Sequence, residues 1–282
     1  MELDGFQIVS KRKGKKKMCA VTQQHGDIST SSENNYDVVS LKRKVLSTKE
    51  TLCCTDFYTD LKGKLRECLE TVLCSHCDGM PCNCSGNSKN PSEIVTYGVG
   101  NFAECLISRY QLALLLALRD NLQVSPNDVL LYDPKFFEAE KELLSSLGLQ
   151  VLSENEEGKR QCEKTTLFYM PHCGKSLYNN LLFANWTSDR LCHLIIIGNS
   201  FTNMVQNFPS STLKKCASFI LRIQPFTEEV PFPGNFQYQD VFNDTALHLF
   251  PRHKLNSVEA VFWEDCPEPL YDEEDLEFIP KS

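Results

Sequence analysis

The sequence has no run of the roughly eighteen apolar residues that a helix needs to cross a bilayer. Its longest apolar stretch, Leu112 to Leu118, stops at Arg119. It does not open on the apolar core of a secretory leader either, since acids and then a lysine cluster stand there. No repeat of about 20 to 50 residues recurs, which argues against solenoids and propellers. Basic residues are outnumbered: 29 Lys and Arg stand against 37 Asp and Glu, and a net charge of -8 does not suit a general nucleic-acid binder. These absences lead us to expect a soluble intracellular protein, cytoplasmic and with access to the nucleus. It should contact protein partners rather than membrane or nucleic acid. In a reducing compartment its 14 cysteines are expected as thiols, not structural disulfides.

The charge that is present is unevenly placed. Lys11-Arg12-Lys13-Gly14-Lys15-Lys16-Lys17 and Lys42-Arg43-Lys44 lead the chain, while Glu264 to Ser282 trails with Asp272-Glu273-Glu274-Asp275 at its centre. Such basic clusters serve as import signals or phosphate patches, or simply as solvated arms. Residues 1–35 are polar and aperiodic, which predicts a disordered basic arm. Over 36–90 we expect a helical segment, carried by Leu61, Leu65, Cys68, Leu69 and Val72 at three- and four-residue spacing, followed by a cysteine-rich connector. Residues 91–253 form the main domain, and 254–282 a mobile acidic tail.

Within the main domain short apolar runs alternate with helical patterns. Ile94 to Tyr97, Val129 to Tyr132, Leu149 to Leu152, Thr166 to Met170 and Leu194 to Ile197 read as strands, and Phe219 to Ile223 as a sixth. Helices are predicted over Phe102 to Leu122, over Pro134 to Leu147 with Gly148 as its C-terminal glycine, and over Ser176 to Trp186. Strands that are apolar throughout and separated by helices belong to a mainly parallel sheet covered on both faces. The fold class is therefore α/β, a Rossmann-like three-layer domain.

Ligands of such sheets sit outside the carboxyl ends of the strands. After the first strand, Gly98-Val99-Gly100-Asn101-Phe102-Ala103 fits the G-x-G-x-x-G/A turn; it serves either close approach of a ligand or helix packing. After the second, Asp133 stands where a carboxylate binds ribose hydroxyls, and Asp133-Pro134 is equally a helix start. After the fourth, His172 offers an acid, base or ligand, or a loop-bound imidazole. Its neighbour Cys173 should point the other way, so the two do not form a nucleophile and base pair. After the fifth, Asn199 and Ser200 contact a ligand or cap a helix. Four successive strand ends with small or polar residues point to one crevice, with Gly98, Gly100, Asn101, Asp133, His172, Cys173, Asn199 and Ser200 as its candidate residues and a nucleotide-type ligand as its occupant.

These segments resemble the SRR1-like family, named for sensitivity to red light reduced. The resemblance is carried by Tyr97-Gly98-Val99-Gly100-Asn101-Phe102, Ser108 to Ala113, Tyr132-Asp133-Pro134, Asn155 to Gly158 and Tyr169 to Cys173. It continues through Leu177 to Trp186, Gly198 to Phe201 and Phe242-Asn243-Asp244-Thr245-Ala246-Leu247-His248. It implies a regulator tied to circadian clock-gene expression and haem biosynthesis, with no assigned reaction. A nucleotide-cofactor enzyme, such as a methyltransferase-like protein, is the alternative reading; against it, Thr96 and Tyr97 stand where an acid often precedes the glycines.

Two features lie apart from the strand ends. Cys74, Cys77, Cys82 and Cys84 can supply four soft ligands to zinc, although standard modules set their ligand pairs further apart, and an unliganded loop is the competing reading. The haem implication draws attention to Cys266-Pro267, where a thiolate would be the axial ligand.

Overall fold

The structure, a computed structural model, describes residues 36–74, 90–271 and 280. The basic arm and Cys77, Cys82 and Cys84 lie outside the described residues, as does the acidic run 272–275.

The single helical segment expected before the main domain is two helices, α1 (Val38–Cys53) and α2 (Asp56–Cys74). Asp37 caps α1, its carboxylate accepting from the Val39 and Ser40 amides at 3.2 and 3.0 Å. Thr55 makes the break: its hydroxyl donates to the Leu52 carbonyl at 2.6 Å and accepts from the Tyr58 amide at 3.2 Å. Leu41, Val45 and Leu52 of α1, with Phe57, Leu61, Leu65 and Leu69 of α2, turn into the core at helical spacing.

The sheet has seven strands in the order β3-β2-β1-β4-β5-β7-β6. These are β1 (Glu93–Tyr97), β2 (Val129–Tyr132), β3 (Gln150–Val151), β4 (Thr166–Met170), β5 (Leu194–Asn199), β6 (Glu228–Pro231) and β7 (Thr245–Leu249). The first five are parallel, with Ile94 of β1 beside Val129 on one side and Leu167 on the other. β7 runs antiparallel to both β5 and β6, so that Ile196, His248 and Glu229 lie in one cross-strand row. Alternate side chains feed two cores. Ile94, Leu131, Leu167 and Ile195 join α1, α2, α3 (Leu106–Leu122) and α4 (Glu138–Ser146) on one face. Val95, Phe168 and Ile196 join α5 (Lys175–Ala184), α7 (Phe201–Asn207), α8 (Ser210–Cys216) and α9 (Ser218–Ile223) on the other, with α6 (Ser188–Leu191) beside them. The three-layer α/β reading holds.

Four expectations are corrected. Phe219 to Ile223 is α9, not a strand; a five-residue apolar run carries no period long enough to separate the two. The sixth and seventh strands lie beyond it: β6 is a half-buried edge containing two glutamates and Pro231, and polar Thr245 and His248 interrupt β7. The helix expected from Pro134 starts at Glu138. The Asp133 carboxylate turns the chain first by accepting from the Lys135 amide at 2.8 Å, and Glu140 then caps the Phe137 amide at 2.9 Å. The helix expected from Phe102 likewise starts at Leu106, because the turn before it is held by side chains.

The fourth correction concerns the C-terminal segment. Up to Tyr271 it is not a loose tail but is strapped to the domain through α10 (Arg252–Asn256) and α11 (Val261–Glu264). Trp186 stacks on Phe262 with centroids 5.2 Å apart and lies 5.5 Å from the Trp263 ring. The Arg222 guanidinium sits 4.7 Å over the Trp186 ring and donates to the Phe262 and Asp265 carbonyls. Lys159 pairs with Glu268 at 2.7 Å, and the Tyr271 hydroxyl lies among Asn179, Asn180 and the Ser176 carbonyl. The aromatic residues among the acids give this segment an apolar face to bury, which acid-rich composition alone conceals.

Candidate functional site

The carboxyl ends of β1, β2, β4 and β5 meet as the strand order requires, and the start of antiparallel β7 joins them from the opposite direction. Gly98 and Gly100 turn the chain with φ of 72° and 76°, a region side chains rarely enter. A Cβ on Gly98 would stand 2.7 Å from the Cys173 sulfur, and one on Gly100 2.9 Å from the Ser108 hydroxyl. The turn is therefore tight for internal packing as well as open toward solvent.

Side-chain acceptors hold its amides. The Gly100 N–H donates to Asp133 Oδ2 at 2.6 Å, so Asp133 spends one oxygen there and the other on Lys135. The Ala103 N–H donates to Glu140 Oε1 at 2.7 Å. Burial raises the Glu140 carboxyl, against amide hydrogen bonds from Phe137, Ala103 and Phe102 that lower it. Asn101 Oδ1 accepts from the Glu104 amide at 3.1 Å and its carbonyl from Cys105 at 3.0 Å. Arg109 closes the turn from behind, donating to the Phe102 and Ala103 carbonyls.

On the other side Asn199 clamps the turn after β4. Its Oδ1 accepts from the His172 amide at 3.0 Å and its Nδ2 donates to the Cys173 carbonyl at 2.9 Å. His172 has φ 57°, a left-handed conformation uncommon outside glycine. The two side chains diverge as expected from adjacent positions. Cys173 is buried, with its thiol donating to the Tyr97 carbonyl at 3.3 Å, and burial pushes it far above the usual thiol range. His172 is exposed on the crevice side, where Gln111 Nε2 and its Nδ1 are hydrogen-bonded at 3.2 Å. Desolvation lowers the His172 pKa, against hydrogen bonding to Asn243 and the charges of Asp244 and Asp240.

The predicted residues are thus brought together with two exceptions, the inward-facing Cys173 and Ser200. Ser200 is buried and faces away; its hydroxyl donates to Glu229 of β6 and accepts from the Asn203 amide at 3.0 Å, capping α7. Sequence reading missed Gln111, Asn243 and Asp244, which complete the His172 side of the crevice, and Glu140 behind the glycine turn. Gln111, Asn243 and Asp244 stand inside segments that carry the family resemblance, and that was the available signal. Tyr178 was also missed: it donates to the Met170 carbonyl and accepts from the Asn199 amide at 2.8 Å, which ties β4 to β5.

Elsewhere, the described residues include no group of three His, Cys, Asp or Glu side chains placed to hold a metal. Of the zinc candidates, Cys74 ends α2 and the other three lie outside the described residues. Cys266 fits an axial haem thiolate poorly: it is half-buried in the strap, and burial raises its thiol.

Fold and site together define the class: a Rossmann-like α/β protein whose strand ends gather polar side chains around a carboxylate-backed glycine turn. A family model described as the SRR1 domain matches residues 61–249. An SRR1-like protein of Mus musculus is 34% identical over 219 residues, covering 72% of this chain and 87% of the mouse protein. An SRR1-like protein of Drosophila melanogaster is 26% identical over 281 residues, covering 97% and 92%. Protein SENSITIVITY TO RED LIGHT REDUCED 1 of Arabidopsis thaliana is 33% identical over 165 residues, 58% of this chain and 60% of the plant protein. The chain belongs to the SRR1 family. Among solved structures, the SAH-bound Podospora anserina methyltransferase PaMTH1 overlaps 57% of this chain and 72% of its own, at 16% identity and a TM-score of 0.34, too slight a likeness to carry an argument.

Proposed function

We propose that this chain is a regulatory protein, acting in circadian clock-gene expression and in the control of haem biosynthesis, whose Rossmann-like domain binds a small nucleotide-type ligand at the strand-end crevice. It works in the cytoplasm and nucleus through protein partners, with Lys11 to Lys17 available as an import signal. The name of the plant relative speaks of sensitivity to red light, a signalling trait, and supports a regulatory role.

One observation favours binding over catalysis. The nucleophile and base candidates at the crevice are engaged in internal hydrogen bonds: the Cys173 thiol with the Tyr97 carbonyl, and His172 Nδ1 with Gln111. Such groups hold a shape. A poised base or nucleophile needs a free lone pair facing a substrate.

The test is a thermal-shift screen of the purified chain with adenosine cofactors, nicotinamide dinucleotides and haem, repeated on Asp133→Ala and Gly100→Val. A stabilisation of a few degrees that both variants abolish supports the crevice, as expected when ligand well above its Kd favours the folded state. If no ligand shifts the melting temperature and cells carrying those variants keep normal clock period and haem levels, the reading fails.

A nucleotide-cofactor enzyme, such as a methyltransferase-like protein, is favoured by a separate observation. The order β3-β2-β1-β4-β5 is that of nucleotide-binding sheets. The antiparallel β7 between β5 and β6 departs from the dinucleotide-binding order. Fold alone does not give the chemistry.

A further inference from the structure

In dinucleotide-binding sheets the glycine turn cradles a pyrophosphate on its amides and on the N-terminus of the following helix. Here four amides of the turn ahead of α3, which starts only at Leu106, are already taken. Gly100 donates to Asp133 at 2.6 Å, Ala103 to Glu140 at 2.7 Å, Glu104 to the Asn101 side chain at 3.1 Å and Cys105 to the Asn101 carbonyl at 3.0 Å. Two of the four acceptors are carboxylates on the strand-end side of β2 and on α4, and both residues are buried, Asp133 8% and Glu140 0% exposed. Two of the protein's own carboxylates therefore hold turn amides on which a phosphate would rest.

The surrounding charges do not reverse this. The cation nearest the turn, Arg109, spends its Nε and Nη2 donors on the Phe102 and Ala103 carbonyls behind it. Lys135 and Lys175 flank the crevice, and the Lys175 ammonium lies 5.4 Å over the Phe208 ring. On the His172 side the further charged groups are Asp240 and Asp244. A phosphate brought beside Asp133 and Glu140 meets like charge in a partly desolvated setting, where repulsion between close unit charges is large.

What remains suits a different ligand. An ionised carboxylate has about four lone-pair sites. Asp133 has one bond on each oxygen and so keeps acceptor capacity for a pair of sugar hydroxyls. Gly98, His172, Asn243 and Asp244 are exposed at the same strand ends, and Gly100, Asn101 and Asn199 half-exposed. They present neutral and acidic groups, not a cationic cradle.

We propose that the crevice selects a phosphate-free nucleoside with a neutral or cationic tail and rejects nucleotides and dinucleotides. This narrows the nucleotide-type ligand of the proposed function to a nucleoside, and rests on its reading of the crevice as a ligand site.

Calorimetric titration of the full chain with four probes tests it: adenosine, S-adenosylmethionine as a nucleoside with a cationic tail, ATP and NAD. Adenosine and S-adenosylmethionine are expected to bind, with ATP and NAD at least about tenfold weaker. In Asp133→Asn, which keeps an acceptor but loses the charge, the gap between adenosine and ATP should narrow by about threefold or more, a change that a purely structural role for Asp133 would not produce. ATP or NAD binding as tightly as adenosine to the unaltered protein overturns the inference; if that binding is lost in Asn199→Ala, the crevice remains a ligand site of another kind. Failure of all four probes at millimolar concentration overturns both readings. Should the Asp133→Asn protein not fold, the preference measured on the unaltered protein still decides.

Discussion

Buried Glu140 and half-buried Glu229 show how differently one residue type behaves. Burial raises Glu140. Burial alone would raise Glu229 too, but hydrogen bonds from His248 and Ser200, the His248 charge and the Thr202 amide bring it down to about 2. A carboxyl depressed in the folded state stabilises it above its ordinary value near 4.5, and that contribution fades as pH falls from there toward 2. Denaturant melts of Glu229→Gln should therefore lose about 1–3 kcal/mol at pH 7 and show a flatter acid limb between about pH 4.5 and 2. An unchanged acid limb would remove Glu229 from the account. Neither glutamate was legible in the sequence, since each acts on a residue more than twenty-five positions away, Glu140 on Ala103 and Glu229 on Ser200 and Thr202. Gly98, Gly100, Asp133, His172 and Asn199 were legible because each follows directly on an apolar strand, where topology alone fixes the place. Ser200 misled for the same reason: it stands at a strand end, but the start of α7 turns its hydroxyl inward.

Among the elements, those with a strong period were read correctly and those with a polar interruption were not. β1, β2, β4 and β5 are buried or nearly so along their length, and their runs stand out. β6 and β7 contain Glu228, Glu229, Thr245 and His248, whose partners are visible only once the strands pair. The strap from α10 to Tyr271 was hidden by its acids. Both tryptophans of the chain, Trp186 and Trp263, lie at its contact, so tryptophan emission reports on that region. Arg222→Ala removes a stacked guanidinium and its two carbonyl bonds. It should destabilise the protein by about 1–3 kcal/mol and shift tryptophan emission to the red. Emission and melting temperature both unchanged would show that Arg222 does not hold the strap.

At the scale of the molecule, one sheet serves two cores, since each long strand sends alternate side chains to opposite faces. Leu114 of α3 and Leu181 of α5 are fully buried on opposite sides. Leu114→Ala and Leu181→Ala should each cost about 2–5 kcal/mol, and the double variant close to the sum, because the two sites share no packing neighbours. Circular dichroism and tryptophan emission should still melt together in each variant. Separate transitions would mean that the two cores unfold independently, contrary to a shared sheet.

The reversed direction of β7 has a bearing on how this crevice can vary. Four of its walls follow strands that are locked between neighbours in the parallel sheet, and changing them disturbs the frame. The fifth, ending in Asn243 and Asp244, is delivered by the connection over residues 232–244 before an antiparallel strand. That connection is a replaceable wall: exchanging it between relatives would retune what the crevice accepts while leaving the parallel frame in place.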